Sequence, residues 1–435
     1  MQRKRLTFRY FINNDMRILC VYCVLFLLAP FAHAYDRVER TLNFDLEQKR
    51  LDAIAAKGIT LGGFEFFPLM GIGEEYNDNI VKSEVLVLDD FITHVSPGFR
   101  ASSNWNRHLL SLDVRTDLAF YARYSKQNYN DVTVDFKSRL DVLRDSALHF
   151  STFFGSLHED RQAVEQQGGI TPTKYNALDI DTAYVHKFNR FSVGGYFDVS
   201  RRDYQNVELI TGQVRNNQDR DRWNYVPALR LGYEIQPKYE LFLKGYYANI
   251  QFDQTKDRHG QERSSQGGDV VVGLDFDATG LITGDAAIGY RHRAYDDPGL
   301  EDIGGVTGWL SLQWNITPLM TIYSKITQNI GETTLKDVSG SNITAVSLGI
   351  EHELLRSLLL KLDGGYSHIQ YQGYDASRFT DERKEDRYFV GFSGKYTLNR
   401  YFYMDLSYRF SGRNSNRSFN DFDQNRVFLN FVARM

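Results

Sequence analysis

Charged side chains recur at every second position in several stretches of this 435-residue chain. Asp113, Arg115 and Asp117 follow one another behind Ser111, with Arg123 further along the same parity, and Lys137 and Arg139 stand in a similar run. The same alternation gathers Arg230, Lys244, Asp275, Asp285, Arg291, Arg293, Lys361, Asp363, Asp405 and Arg409. Basic groups in such a wall bind carboxylates, while carboxylates and tyrosines accept or donate hydrogen bonds to hydroxyls, so one chemistry open to the set is selection of a solute by charge. The plainer reading is that opposite signs neutralise each other and brace a wet surface. Catalysis is not expected. No G-x-S-x-G, H-E-x-x-H or phosphate-loop pattern is present, and the ten histidines are scattered. No cofactor or metal site is expected either.

Charges at alternate positions need a strand to hold them. In 110–122, Leu110, Leu112, Val114, Thr116, Leu118, Phe120 and Ala122 share the face opposite the charges. The next stretch sets Val132, Val134, Phe136, Ser138, Leu140 and Val142 against Asp131, Thr133, Asp135, Lys137, Arg139 and Asp141. Period two is the repeat of a β-strand, not a helix. A soluble sandwich shows the same alternation, so number and continuity decide. No run after the N-terminus approaches the roughly 18 apolar residues of a membrane helix. Aromatic content is nonetheless 14%, with 27 Tyr and 30 Phe. A barrel in which only alternate residues face lipid accounts for both.

The N-terminus carries Arg3, Lys4, Arg5, Arg9 and Arg17, an apolar run over 18–30, and Ala32-His33-Ala34. This is the pattern of a secretory signal peptide over 1–34, too short in its apolar part for an anchor, with translation starting at Met1 or Met16. Both cysteines, Cys20 and Cys23, fall inside it, which excludes thiol catalysis, thiolate metal sites and disulfides from the exported chain. Its removal leaves 46 basic against 54 acidic residues, a net charge near −8. That balance speaks against nucleic acid as a partner.

Residues 35–60 read as a periplasmic lead-in with one helix-like piece, Asp45–Lys57, and 61–435 as a closed antiparallel transmembrane β-barrel. Strands are expected near 64–76, 91–103, 109–124, 129–142, 147–157, 175–188, 191–204, 223–235 and 239–252. Others are expected near 268–278, 282–295, 306–316, 319–330, 343–354, 358–371, 387–398, 401–413 and 423–435. About eighteen strands result. Sixteen is the alternative count, since the first two segments and the 125–128 connection are the least determined. Connections alternate between tight turns, such as Asn189-Arg190, Thr317-Pro318 and Asn399-Arg400, and long loops at 158–174, 205–222, 253–267 and 372–386. Short turns at one end and long loops at the other, with both termini on the short side, is the asymmetry of outer-membrane barrels. Trp105, Phe188, Phe191, Tyr233, Tyr239, Trp314, Tyr396 and Tyr401 beside the tight turns read as an interfacial girdle. The loop 253–267 and the mixed-charge run Asp381–Arg387 read as solvated.

Several short motifs carry a resemblance: Glu75-Tyr76-Asn77-Asp78-Asn79-Ile80, Val95-Ser96-Pro97-Gly98-Phe99-Arg100, Gly331-Glu332-Thr333-Thr334-Leu335 and Leu398-Asn399-Arg400-Tyr401. In their order and register they resemble the β-barrel porins found in exopolysaccharide biosynthesis operons, over residues 60–435. The alternation of Val427, Leu429, Phe431, Ala433 and Met435 with Arg426, Asn430 and Arg434 resembles the C-terminal assembly signal of bacterial outer-membrane barrels, although the last residue is Met rather than Phe or Trp. The resemblance implies a channel in the outer membrane of a Gram-negative bacterium that exports an exopolysaccharide or capsular polysaccharide. Its partners would be outer-membrane lipid, the polysaccharide, periplasmic export components and the barrel assembly machinery; it implies no catalytic residues. A general or substrate-specific diffusion porin is the alternative, and an outer-membrane barrel enzyme acting on lipid or glycan a second. A TonB-dependent receptor is disfavoured because such receptors place a large folded plug before the barrel.

Overall fold

The computed structural model describes residues 56–163, 165 and 169–435. The expected signal peptide and nearly all of the expected lead-in helix lie outside them. Strand alternation builds β1 (Phe64–Asn77), β2 (Asp90–Ser103), β3 (Leu109–Tyr121), β4 (Tyr129–Leu143), β5 (Ser146–His158) and β6 (Lys174–Phe188). It continues in β7 (Phe191–Tyr204), β8 (Arg222–Gln236), β9 (Tyr239–Phe252), β10 (Ser265–Ala278), β11 (Ile282–Tyr295) and β12 (Ile303–Thr317). The circuit ends with β13 (Met320–Glu332), β14 (Gly340–Leu355), β15 (Leu358–Gln372), β16 (Lys384–Thr397), β17 (Phe402–Ser415) and β18 (Phe422–Arg434). Each pairs antiparallel with the next, and β18 returns to β1, Arg426–Arg434 lying against Leu69–Asn77. The result is a closed antiparallel barrel of eighteen strands. Closure leaves no free ladder at the seam, which is the condition for strands to cross lipid.

The apolar alternates form the outer face: Leu229, Leu243, Val270, Ile288, Val306, Leu348, Leu362, Val390 and Leu406 are all exposed. Their neighbours in sequence point into the barrel. No helix among the described residues is long and apolar enough to cross a membrane; the crossing is made by strands. At the short-turn end Asn189, Lys238 and Thr279 take positive φ values of 55°, 76° and 61°, the left-handed conformation that tight hairpin turns require. Of the expected girdle, every member but the half-buried Tyr239 is exposed, and Phe191 packs at a tilt against Tyr233 with ring centroids 4.9 Å apart. Below the seam, Ile59–Leu61 pairs with Phe64–Phe66, so the lead-in joins the sheet just before β1.

Two expectations change. The third strand stops at Tyr121, because the backbone N–H groups of Arg123 and Tyr124 turn to the Asp90 carboxylate and the chain enters a single 3-10 turn at Ser125–Gln127. The long loops are not simply solvated, as described below.

Candidate functional site: a charged lumen beneath a packed mouth

Residues paired across a ladder share a face, so the register assembles the inward side chains into rows. One row runs Glu240, Asp275, Asp285, Ser311 and Lys325 across β9 to β13. Three carboxylates on adjacent strands repel one another unless cations or donors intervene, and each has one. Arg230 donates to Glu240 at 2.5 Å and also to Asp275, Ser192 donates to Glu240 at 2.9 Å, and the Trp309 indole donates to Asp285. Lys244, 1% exposed, sits 4.4 Å and 4.6 Å over the rings of Tyr196 and Tyr246.

Most of the other charges picked out by alternation also stand beside an opposite charge. Asp113 accepts from Arg100 at 2.9 Å and from Arg115 at 2.7 Å, and Asp117 bonds His94 at 2.9 Å and the Tyr129 hydroxyl at 3.1 Å. Arg139 donates to Asp141 at 2.9 Å, Arg291 to Asp269 at 2.6 Å, and Arg293 to Glu332. Lys137 lies in register with Ser111 and Ser151, Lys361 with Glu351, and Asp405 with Lys395. Arg409 lies 3.8 Å from Asp363 and over the Phe389 ring. Arg123 does not join the wall. It stands beyond the end of β3, more than half exposed, and pairs with Asp89 and Asp90 at the long-loop end, because the strand that would have turned it inward has already ended.

Above this wall the long loops fold inward. The connection 159–173 leaves β5 and reaches partners on several sides of the mouth. Asp160 receives Lys82 at 2.6 Å, from the loop between β1 and β2, and Glu159 receives Arg220 at 3.1 Å, from the loop between β7 and β8. Glu165 accepts from the Thr333 hydroxyl at 2.8 Å, just past β13, and Arg413 on β17 donates to the Gln162 carbonyl at 2.7 Å. In an eighteen-strand circuit β5 and β13 stand almost opposite each other, so Glu165 lies across the mouth from the end of β5.

Burial decides the electrostatics of this cap. Desolvation alone would raise the Asp160 carboxyl, but Lys82 and the Gln162 backbone N–H hold it below the usual carboxylate range. Burial likewise opposes ionisation of Glu165, and Arg220 with the Thr333 hydroxyl overcomes it and lowers its pKa. Arg161 is pushed down to about 10 by burial, although it donates to Gln127 at 3.0 Å and to the carbonyls of Gly169 and Ile170, both at 2.9 Å.

Neighbouring loops complete the cap. Arg263, in the connection expected to be solvated, is buried with Asp257 at 2.7 Å and donates to the Leu335 carbonyl at 2.7 Å. Glu385, in the run expected at a wet rim, is 1% exposed between Arg383 at 2.7 Å and Arg387 at 2.8 Å. Sequence alternation pointed to none of these residues. The signals available were the length of 159–173 and its opening Glu-Asp-Arg-Gln, since connections of that size in a compact fold usually carry function. On the outer face, the carboxylates of Asp203, Asp221 and Asp253 lie within 4.8 Å of one another, with Arg201 donating to Asp253 at 2.6 Å.

A closed barrel with a charged interior and loops folded into one mouth is the architecture of a porin, and residues 52–435 match the family model described as "Putative beta-barrel porin 2". The chain belongs to this family. The porin is an outer-membrane barrel of the Gram-negative type. No curated protein matches it. Among solved structures it is similar to the outer-membrane protein OpdK of Pseudomonas aeruginosa, at 14% identity over 85% of this chain and 99% of that one, with a TM-score of 0.41. OccAB4 of Acinetobacter baumannii is similar at 12% identity over 85% and 98% of the two chains, with a TM-score of 0.43. The copper transporter OprC gives 9% identity, 87% and 82% coverage and a TM-score of 0.46.

Proposed function

We propose that this porin is the outer-membrane passage for an exopolysaccharide or capsular polysaccharide, and that it acts as a channel rather than an enzyme. It would receive the polymer from periplasmic export components after insertion by the barrel assembly machinery. The observation that carries the reading is the combination of a wide barrel, lined by charges of both signs, with loops tied across its mouth by buried ion pairs. Barrels of this strand number enclose an aqueous lumen. Ion pairs that hold loops across the mouth can be exchanged for the charged groups of a polymer, which suits a passage that widens for its own substrate. The alternating wall charges, including Asp113, Arg115, Lys137 and Arg139, then form its hydrated lining.

A clean deletion tests this. Loss of surface polysaccharide with intact cytoplasmic precursor synthesis is expected; unchanged surface polymer together with reduced small-solute uptake would overturn the proposal in favour of a diffusion porin.

A further inference from the structure

Four cations approach the connection 159–173 from different parts of the mouth, and each meets an oxygen of it. Lys82 lies 2.6 Å and 2.7 Å from the two carboxylate oxygens of Asp160. Arg220 grips both carboxylate oxygens of Glu159, Arg413 donates to the Gln162 carbonyl at 2.7 Å, and Arg215 to the Glu165 carbonyl at 2.6 Å. Arg220 and Arg413 are 5% and 4% exposed. Buried cations need acceptor oxygens around them; for Lys82 and Arg220 these are carboxylates, for Arg215 and Arg413 backbone carbonyls of the same connection. Anything that takes the place of Glu159, Asp160 and Glu165 must therefore bring negative oxygens of its own.

We infer that Lys82, Arg215, Arg220 and Arg413 form a subsite for the carboxylates of an acidic glycan, and that Glu159, Asp160 and Glu165 occupy it in the closed porin. The inference rests on the polysaccharide reading for the glycan and adds the sign of its charge and the competitor it must displace. A single small anion cannot reach cations that project from β17, from beside β1 and from beyond β7 at once. A chain bearing a carboxylate on each repeat can engage them together, and linked contacts of this kind reinforce one another. Thr333 and Gln127, which now bind Glu165 and Arg161, supply the hydroxyl and amide that sugar hydroxyls need.

The test uses the full-length porin in planar bilayers, with oligogalacturonate as the acidic probe and maltodextrin of equal length as the neutral one. In E159Q/D160N/E165Q the subsite loses its internal competitor, so oligogalacturonate should block current at a concentration at least tenfold lower than in the wild type, with maltodextrin block unchanged. Adding K82Q and R220Q should reverse the gain. An equal gain for both sugars, or no gain in a variant that still shows the heat-modifiable mobility of a folded barrel, would overturn the inference.

Ala163→Cys gives a second measurement that leaves the charges intact, because Ala163 is 2% exposed and both native cysteines lie in the expected signal peptide. Oligogalacturonate should accelerate its reaction with a maleimide several-fold and maltodextrin should not; identical rates with the two sugars would overturn the subsite. The two proposals fail separately. A uronate preference in the purified channel beside unchanged surface polymer in the deletion strain would leave the subsite standing and remove the export reading.

Discussion

Lys82→Gln isolates the electrostatic closure of the mouth. The Lys82 and Asp160 side chains are 9% and 11% exposed and 2.6 Å apart, so the substitution leaves a carboxylate enclosed by protein without its cation. Removing one partner of a fully buried pair costs about 3–5 kcal/mol. Water reaches the mouth more readily than a core, and about 2 kcal/mol is the fair expectation, roughly thirtyfold in the closed-to-open ratio. The barrel itself should keep its stability, because its ladders do not involve this pair. Single-channel recording of the open fraction reads the effect directly. The double variant K82Q/D160N removes both charges and should recover most of the closed population, since no charge is then left stranded. An open fraction unchanged in K82Q, or a double variant at least as open as K82Q, would refute the reasoning.

Because Asp160 and Glu165 are held below the ordinary carboxylate range, their contribution to closure is complete above that range and is lost as pH falls through the lowered values. Conductance should stay low from neutral pH to about 5 and rise only below about pH 4; opening between pH 7 and 5 would contradict the assignment. Replacing Arg115, Arg139, Arg291 and Arg293 by Gln strips the cations from Asp141, Asp269 and Glu332 and leaves Asp113 with Arg100 alone, so the reversal potential should move toward cation selectivity. That shift should shrink in high salt, since exposed charges are screened over about 8 Å at physiological ionic strength. In the wall itself, a Cβ on Gly289 would sit 1.9 Å from the Val270 carbonyl oxygen and 2.7 Å from the Val271 Cα, whereas one on Gly245 meets nothing within 4 Å. Gly289→Val should therefore lose the heat-modifiable folded band on gels while Gly245→Ala retains it.

The barrel was legible in the sequence because its signal is local. A residue two positions along a strand returns to the same face whatever the rest of the chain does, so Leu110 to Phe120 and Val132 to Val142 declare an outer face and Asp113 to Asp117 an inner one. Turn residues such as Asn189 and the alternation of short and long connections fix strand direction by the same local logic. Arg123 shows where that logic stops: its parity is right, but strand termination depends on Asp90, 33 residues away, receiving its backbone N–H.

The pairings at the mouth were not legible; only the length of its long connections stood out. Glu159 with Arg220, Asp160 with Lys82 and Glu165 with Thr333 join residues 61 to 168 positions apart, and no periodicity relates them. Closing the circuit set β5 opposite β13 and brought β17 to within one strand of β1, and only then did a loop that reads as polar and solvent-exposed find buried cations to pair with. Composition and alternation thus determined which side chains face lipid and which face the interior. The tertiary structure alone decided which of the charges meet, because ion pairing depends on distances that only barrel closure creates.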